Sequence, residues 1–256
     1  DIGRMQRESK EDGALFQVNH PTIFPEPAFT AFCRGCPFNL ANAIDWRLVD
    51  TIEVLTSAAL VKGSEVGLSQ VPGTIENPFL KTAIDYWEDR LKAGFKITAV
   101  AGSDSKGLDP VAERARLGYG TSATMVYADN LSREALTRGI KAGRVYIKTR
   151  GNRAGSLLFD MTATSGSTTA MMGDILKADS ATLTATVTNA VGQRLTLLMN
   201  GVPMGFAAVL TTPFTYTATL NHDASGAGPL GTIWRIELAD NDSRTMISNP
   251  IFLQRP

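Results

Sequence analysis

Apolar and polar positions follow different rules on the two sides of residue 150. Before it, short apolar runs alternate with stretches of helical period. Ala14 to Val18 predicts a buried strand ending at Asn19-His20-Pro21, and Asp50 to Leu55 predicts a second, with Glu53 near its end. Phe79, Leu80, Ala83, Ile84, Trp87 and Leu91 recur at helical spacing. Asn77 suits the N-cap of that helix, Pro78 its first position and Gly94 its C-terminal cap. Ile97 to Ala101 predicts a strand that stops at Gly102-Ser103-Asp104. A strand over Ser122 to Ala128, a helix over Ser132 to Ala142 closed by Gly143, and a strand over Val145 to Lys148 complete this part. Such alternation predicts parallel β/α units, in which chemistry sits on the loops after the strands. His20 and Asp104 both fall at such ends.

Beyond residue 150 the pattern becomes rich in Thr, Ala and Val, with few charges. Strands are predicted over Ser156–Met161, Ala181–Val187, Arg194–Met199, Met204–Leu210, Phe214–Leu220 and Thr232–Ala239. Asn200-Gly201 is a hairpin signal between two of them. Short strands at this spacing predict an antiparallel, immunoglobulin-like sandwich. The expected division is therefore residues 1–150, a β/α unit, and residues 151–256, a β-sandwich, with the boundary at Gly151 to Ser156.

Charge narrows the range of partners. Lys and Arg total 25, as do Asp and Glu, so no basic excess marks a nucleic-acid binder. No apolar run approaches the length of a membrane-spanning helix. No charged-then-apolar leader is visible, although the chain opens at Asp1 rather than at a methionine. The sandwich appendage inclines the expected location toward the periplasm or the exterior.

Several residues could carry chemistry. His20, between an apolar strand and a proline, suits either a ligand or a packed, hydrogen-bonded residue. Asp104, among small residues after a strand, could aim its carboxylate into the mouth of a sheet or simply cap a turn. Glu53 fits a supporting carboxylate behind such a site, or a solvated rim position. Cys33 and Cys36 form a lone C-x-x-C in a Pro-rich aromatic loop, without the second pair a closed zinc site needs. They are expected to be structural. Phe24, Phe29, Phe32 and Phe38 in that loop could line a pocket or form a satellite cluster, and Trp234 is expected in the core.

Taken in order, FQVNHP, VDTIEVLTS, ITAVAGSDSKG and KAGRVYIKT resemble the second half of a PHP (polymerase and histidinol phosphatase) domain. The resemblance is to the branch containing carbaryl-hydrolase-like enzymes, whose trailing sandwich is marked here by MMGD at Met171–Asp174 and SNPIF at Ser248–Phe252. It covers nearly the whole chain. The implied fold is α/β, a partial distorted (β/α)7 barrel followed by an all-β sandwich. The implied activity is metal-dependent hydrolysis of a small-molecule ester, a phosphoester or a carbamate, by metal-activated water. Zinc, manganese or iron would be the cofactor. His20 and Asp104 look like metal ligands, with Asp104 also catalytic and Glu53 in support.

Two departures from the family pattern matter. Lys106 stands where the family has a histidine, and an ammonium has no lone pair for a metal. Lys106 is expected to be catalytic instead, offsetting charge on an anionic substrate, or else to occupy a lost metal position or point into solvent. The family's H-x-H pair and other upstream ligands are also absent, and His222, the second histidine, lies in a sandwich loop. The resemblance thus implies that a further N-terminal segment, in the same polypeptide or as a separate chain, completes the site and covers the sheet edge. Two other expectations stand beside the hydrolase: a degenerate PHP domain with a structural or binding role, and a sandwich that binds carbohydrate or a protein partner.

Overall fold

The computed structural model describes residues 1–22, 43–62, 73–104, 120–151, 157–241 and 243–256. Three helices lie within them: α1 (Ile2–Glu11), α2 (Pro78–Lys92) and α3 (Arg133–Ala142). The strands of the first part are β1 (Gln17–Val18), β2 (Thr51–Thr56), β3 (Leu60–Lys62), β4 (Thr74–Glu76), β5 (Thr98–Gly102), β6 (Ala123–Val126) and β7 (Val145–Lys148). Those of the second are β8 (Leu158–Ser165), β9 (Thr168–Met171), β10 (Ile175–Lys177), β11 (Ser180–Thr188), β12 (Arg194–Met199), β13 (Val202–Ala208), β14 (Phe214–Asn221), β15 (Thr232–Asp240), β16 (Ser243–Ser248) and β17 (Ile251–Gln254).

Local signals act where they were expected. The Asn77 side chain accepts from Phe79 N–H and Pro78 opens α2, while Ser132 caps α3 and Gly143 ends it in the left-handed region. Asn200 and Gly201, both at positive φ, turn β12 into β13. Residues 1–13, for which the hydrophobic pattern predicts no element, form α1. Its Gln6 is buried and binds both the N–H and the C=O of Asp45, each at 2.9 Å.

The expected (β/α)7 barrel is not what these residues form. Strands predominate, and only three of the first part run parallel as one sheet, in the order β1-β2-β5. The physical reason lies in the β6–α3–β7 segment. Its strands pair antiparallel, Ala123 with Lys148 and Val126 with Val145. The helix between them is an excursion within a hairpin rather than a crossover. A crossover requires a long connection, but a long connection does not require a crossover.

β6 and β7 instead extend an eight-stranded sheet across residue 150. At its centre β15 carries β12 and then β13 on one edge, and β17 and β16 on the other; β10 lies outside β17, and β7 and β6 lie beyond β16. A four-stranded sheet, β14-β11-β8-β9, covers one face. Phe159, Met161, Leu183, Val187, Leu195, Leu197, Trp234, Ile236 and Leu253 fill the space between the two sheets. The opposite face is also buried. There Ile147, Ile233, Ile247 and Phe252 share a second core with Leu80, Ile84, Trp87 and Leu91 of α2 and Ile52, Val54 and Ala99 of the parallel sheet. Both faces of β15 are thus covered, which is why Thr232 to Leu238 are all buried, the charged Arg235 and Glu237 included.

Two polar devices join the layers. A chain of ion pairs runs from Glu88 of α2 to Arg235 (2.6 Å), then Glu237 (2.6 Å), Arg244 (2.8 Å) and Glu76 of β4 (2.5 Å). The second device is Asn249, buried in the SNPIF segment. Its Oδ1 accepts from Ala99 N–H at 2.8 Å, and its Nδ2 donates to Ala99 C=O and Val145 C=O at 3.0 Å. The MMGD turn meets the same junction. Gly173 N–H donates to Pro250 C=O, and a Cβ on Gly173, whose φ is +88°, would lie 1.9 Å from Ala142 C=O.

Two stability predictions follow from these devices. Asn249→Ala leaves the Ala99 amide and carbonyl buried and unpaired, and denaturant midpoints should register a loss of about 2–4 kcal/mol. Arg235→Ala strands Glu88 and leaves Glu237 with Arg244 alone, and should cost about 3–5 kcal/mol, whereas Lys81→Ala, which breaks an exposed pair on α2, should cost under about 1 kcal/mol.

Candidate functional site

Because β1, β2 and β5 run parallel, their C-terminal ends open on one side. His20 stands two residues beyond β1 and Asp104 two beyond β5, while Glu53 lies within β2 between them. Backbone strain concentrates here: His20 (φ 29°), Ser57 (φ 67°) and Asp104 (φ 47°) follow the three strands, and each adopts a conformation few non-glycine residues tolerate. The pairing of β2 with β5 is also irregular between Glu53 and Leu55. Bulges of this kind re-aim side chains and recur beside functional sites.

Glu53 is buried, 8% exposed, so it is not a solvated rim residue. The backbone N–H of His20 donates to its carboxylate, and a Cβ placed on Gly102 would lie 3.4 Å from its Oε1. Its Oε2 is buried without a hydrogen-bond partner. Burial first, and the neighbouring charge of Asp104 second, push the Glu53 carboxyl up to about 7, against the smaller opposing effect of the His20 N–H. Asp104 is exposed and His20 half-buried. A small cleft lined by His20, Thr22, Glu53, Thr56, Asn77 and Phe79 opens beside the carboxylate.

The structure therefore brings His20, Glu53 and Asp104 to one mouth. Lys106, Cys33, Cys36 and the four phenylalanines Phe24, Phe29, Phe32 and Phe38 lie outside the described residues. His222 belongs to the loop after β14, and Trp234 is buried in the sandwich core. Thr56 was not anticipated. It is buried beside Glu53 with its Oγ1 unpartnered, and its only sequence signal is a hydroxyl at a strand end followed by Ser57 and Ala58.

A metal site calls for several donors at one point. Imidazole, two carboxylates and an orphaned buried oxygen are the donor types that zinc, manganese or iron takes. Their number falls short: among the described residues no three His, Cys, Asp or Glu side chains form a group that could hold an ion. The residues present do not by themselves make a metal centre. What they do make is a buried carboxyl beside an ionisable neighbour.

No protein-family model matches the chain, and no curated protein matches it. Among solved structures, the CARDB domain of PF1109 from Pyrococcus furiosus is similar over 38% of this chain and 94% of its own, at 10% identity and a TM-score of 0.21. A likeness at that level carries no argument. No helix among the described residues is long and apolar enough to cross a membrane.

The raised Glu53 carboxyl has a consequence for stability. From an ordinary value of 4.5 to about 7, folding tightens its hold on the proton, so ionisation works against the folded state. The penalty is absent below pH 4.5, grows as pH rises toward 7 and is complete above it. Its ceiling is about 3 kcal/mol. Glu53→Gln should therefore stabilise the protein at pH 8 and leave it nearly unchanged at pH 4.5, as read from urea midpoints at both values.

Proposed function

We propose that the mouth formed by His20, Glu53 and Asp104 hydrolyses a small ester, a phosphoester or a carbamate. The observation that carries this reading is Glu53: a buried carboxylate oriented by the His20 N–H, set beside Asp104, with one oxygen unpartnered at a cleft. The resemblance of FQVNHP and AVAGSDSKG to PHP hydrolases supports the reaction class; the barrel of that family does not carry over.

In this scheme Glu53 accepts a proton from the attacking water and returns it to the leaving oxygen. A carboxyl titrating near 7 can do both at neutral pH. Asp104, as a neighbouring negative charge, keeps the Glu53 proton affinity high. His20, through its main chain, fixes which Glu53 oxygen faces the cleft. Zinc, manganese or iron is the cofactor that the resemblance implies, and it would supply Lewis-acid polarisation once further donors joined the described ones.

Turnover of an aryl phosphate and an aryl carbamate, with and without added zinc, manganese or iron, tests the proposal. Glu53→Gln should lower kcat/KM by a factor of about 100 or more. Since the ionised form is the base, kcat/KM should rise with pH through about 7. Asp104→Asn should move that limb to lower pH by removing the like charge. No turnover of either ester under any metal condition would overturn the assignment and favour a structural or binding role.

A further inference from the structure

We infer, resting on the hydrolytic reading above, that the Thr56 hydroxyl and Glu53 Oε2 together seat the single water that attacks the ester. Strand parity alone would set these two side chains on opposite faces of β2, because residues three apart in a regular strand point to opposite sides. The irregularity of β2 removes that obstacle. Glu53 pairs with Val100 and Thr56 with Gly102, so three steps along β2 match two along β5. Val54 is the extra residue, and the bulge turns Thr56 onto the face that Glu53 occupies. Their Cα atoms then stand roughly 7 Å apart, as alternate residues of a regular strand do. One water can bridge side-chain oxygens at that spacing.

Both residues are 8% exposed, and neither Glu53 Oε2 nor Thr56 Oγ1 has a hydrogen-bond partner. Both residues line the same cleft. Asn77 and Thr22, also in its wall, are already engaged: Asn77 accepts from Phe79 N–H and donates to Ala58 C=O, and the Thr22 hydroxyl accepts from that of Thr82. The volume of the cleft is about 10 Å³. One water needs about 10–15 Å³, and a drug-sized molecule about 300 Å³ or more. The cleft therefore takes the nucleophile and leaves the ester to lie across its opening. A water there donates one O–H to Glu53 Oε2 and accepts the Thr56 O–H, which leaves a lone pair for the ester centre. As that lone pair forms the new bond, the proton on the Glu53 side passes to the carboxylate. The bond to the leaving oxygen breaks with its electron pair, and Glu53 returns the proton there. Thr56 exchanges no proton; it fixes where the water stands.

Thr56→Val keeps the shape of the side chain and deletes the hydroxyl. In a high-resolution crystal structure of the unaltered chain, one ordered water should lie within about 3.2 Å of both oxygens, and it should be gone in Thr56→Val. The urea midpoint of Thr56→Val should fall, whereas deleting a buried hydroxyl that truly lacks a partner would raise it. With an aryl phosphate or carbamate as substrate, kcat of Thr56→Val should drop about 100-fold at unchanged KM, the cost of misplacing a reactant by about 1 Å. Thr56→Ser, which keeps the hydroxyl, should recover most of that loss. A raised midpoint, no water at the two oxygens, or an unchanged kcat would overturn the role of Thr56 and leave hydrolysis by Glu53 standing. The water in place but no turnover would overturn the hydrolytic reading and the attack drawn from it, a result distinct from loss of the seat.

Discussion

Among the described residues no strand bonds to the outer edge of β5, and the candidate site depends on how that edge is closed. β5 pairs with β2 through Thr98, Val100 and Gly102, which turns the amides and carbonyls of Ala99 and Ala101 the other way, into the protein. Buried backbone groups cannot go unpaired without a penalty comparable to a lost hydrogen bond each. Side chains replace the missing strand. Asn249 takes both groups of Ala99, while the Thr124 hydroxyl accepts from Ala101 N–H at 2.9 Å and donates to its C=O at 2.8 Å. Ser122 Oγ then donates to Gly102 C=O at 2.7 Å, two residues before Asp104. An amide or a hydroxyl can do this because each offers one donor and one acceptor at a single position.

This closure ties the site to the sandwich. Asn249 belongs to the segment between β16 and β17, and Thr124 to the outermost strand of the eight-stranded sheet. The strand that leads to Asp104 is thus held by the sheet that also forms the sandwich core. The ion-pair chain from Glu88 to Glu76 fixes α2 and β4 against the same sheet. Its members are largely buried, so its geometry matters more than its net energy: burial alone would push Glu237 up, yet Arg235 and Arg244 together pull its carboxyl below the ordinary range. The site consequently rests on a frame buried on both faces rather than on loops of an open sheet.

Much of the frame could be read along the chain. The caps of α2 and α3, the Asn200-Gly201 turn and the span of β12 depend on local chemistry, and local chemistry survives folding. Elements without such signals escaped. α1 is anchored by Gln6 bonding to Asp45, a contact between residues far apart in sequence. β16 and β17 are each flanked on one side by a strand far away in sequence, β7 and β10 respectively. The candidate site was legible in the same partial way. His20 and Asp104 stood out because strand ends beside small residues and proline are recognisable, whereas Glu53 reads as a rim residue until α2 and β5 are seen to enclose it.

Sequence alone determined the capped helices α2 and α3, the longer strands of the second part, the change of character near residue 150, and the two strand-end residues worth testing. Tertiary structure alone decided strand direction: β6 and β7 pair antiparallel as a hairpin around α3, and the edge of β5 is closed by side chains rather than by another parallel strand. It also decided the state of Glu53, whose carboxyl is set by burial and by a charge, Asp104, that is distant in sequence. Periodicity reports which face of an element is apolar; it carries no information about which element will cover that face.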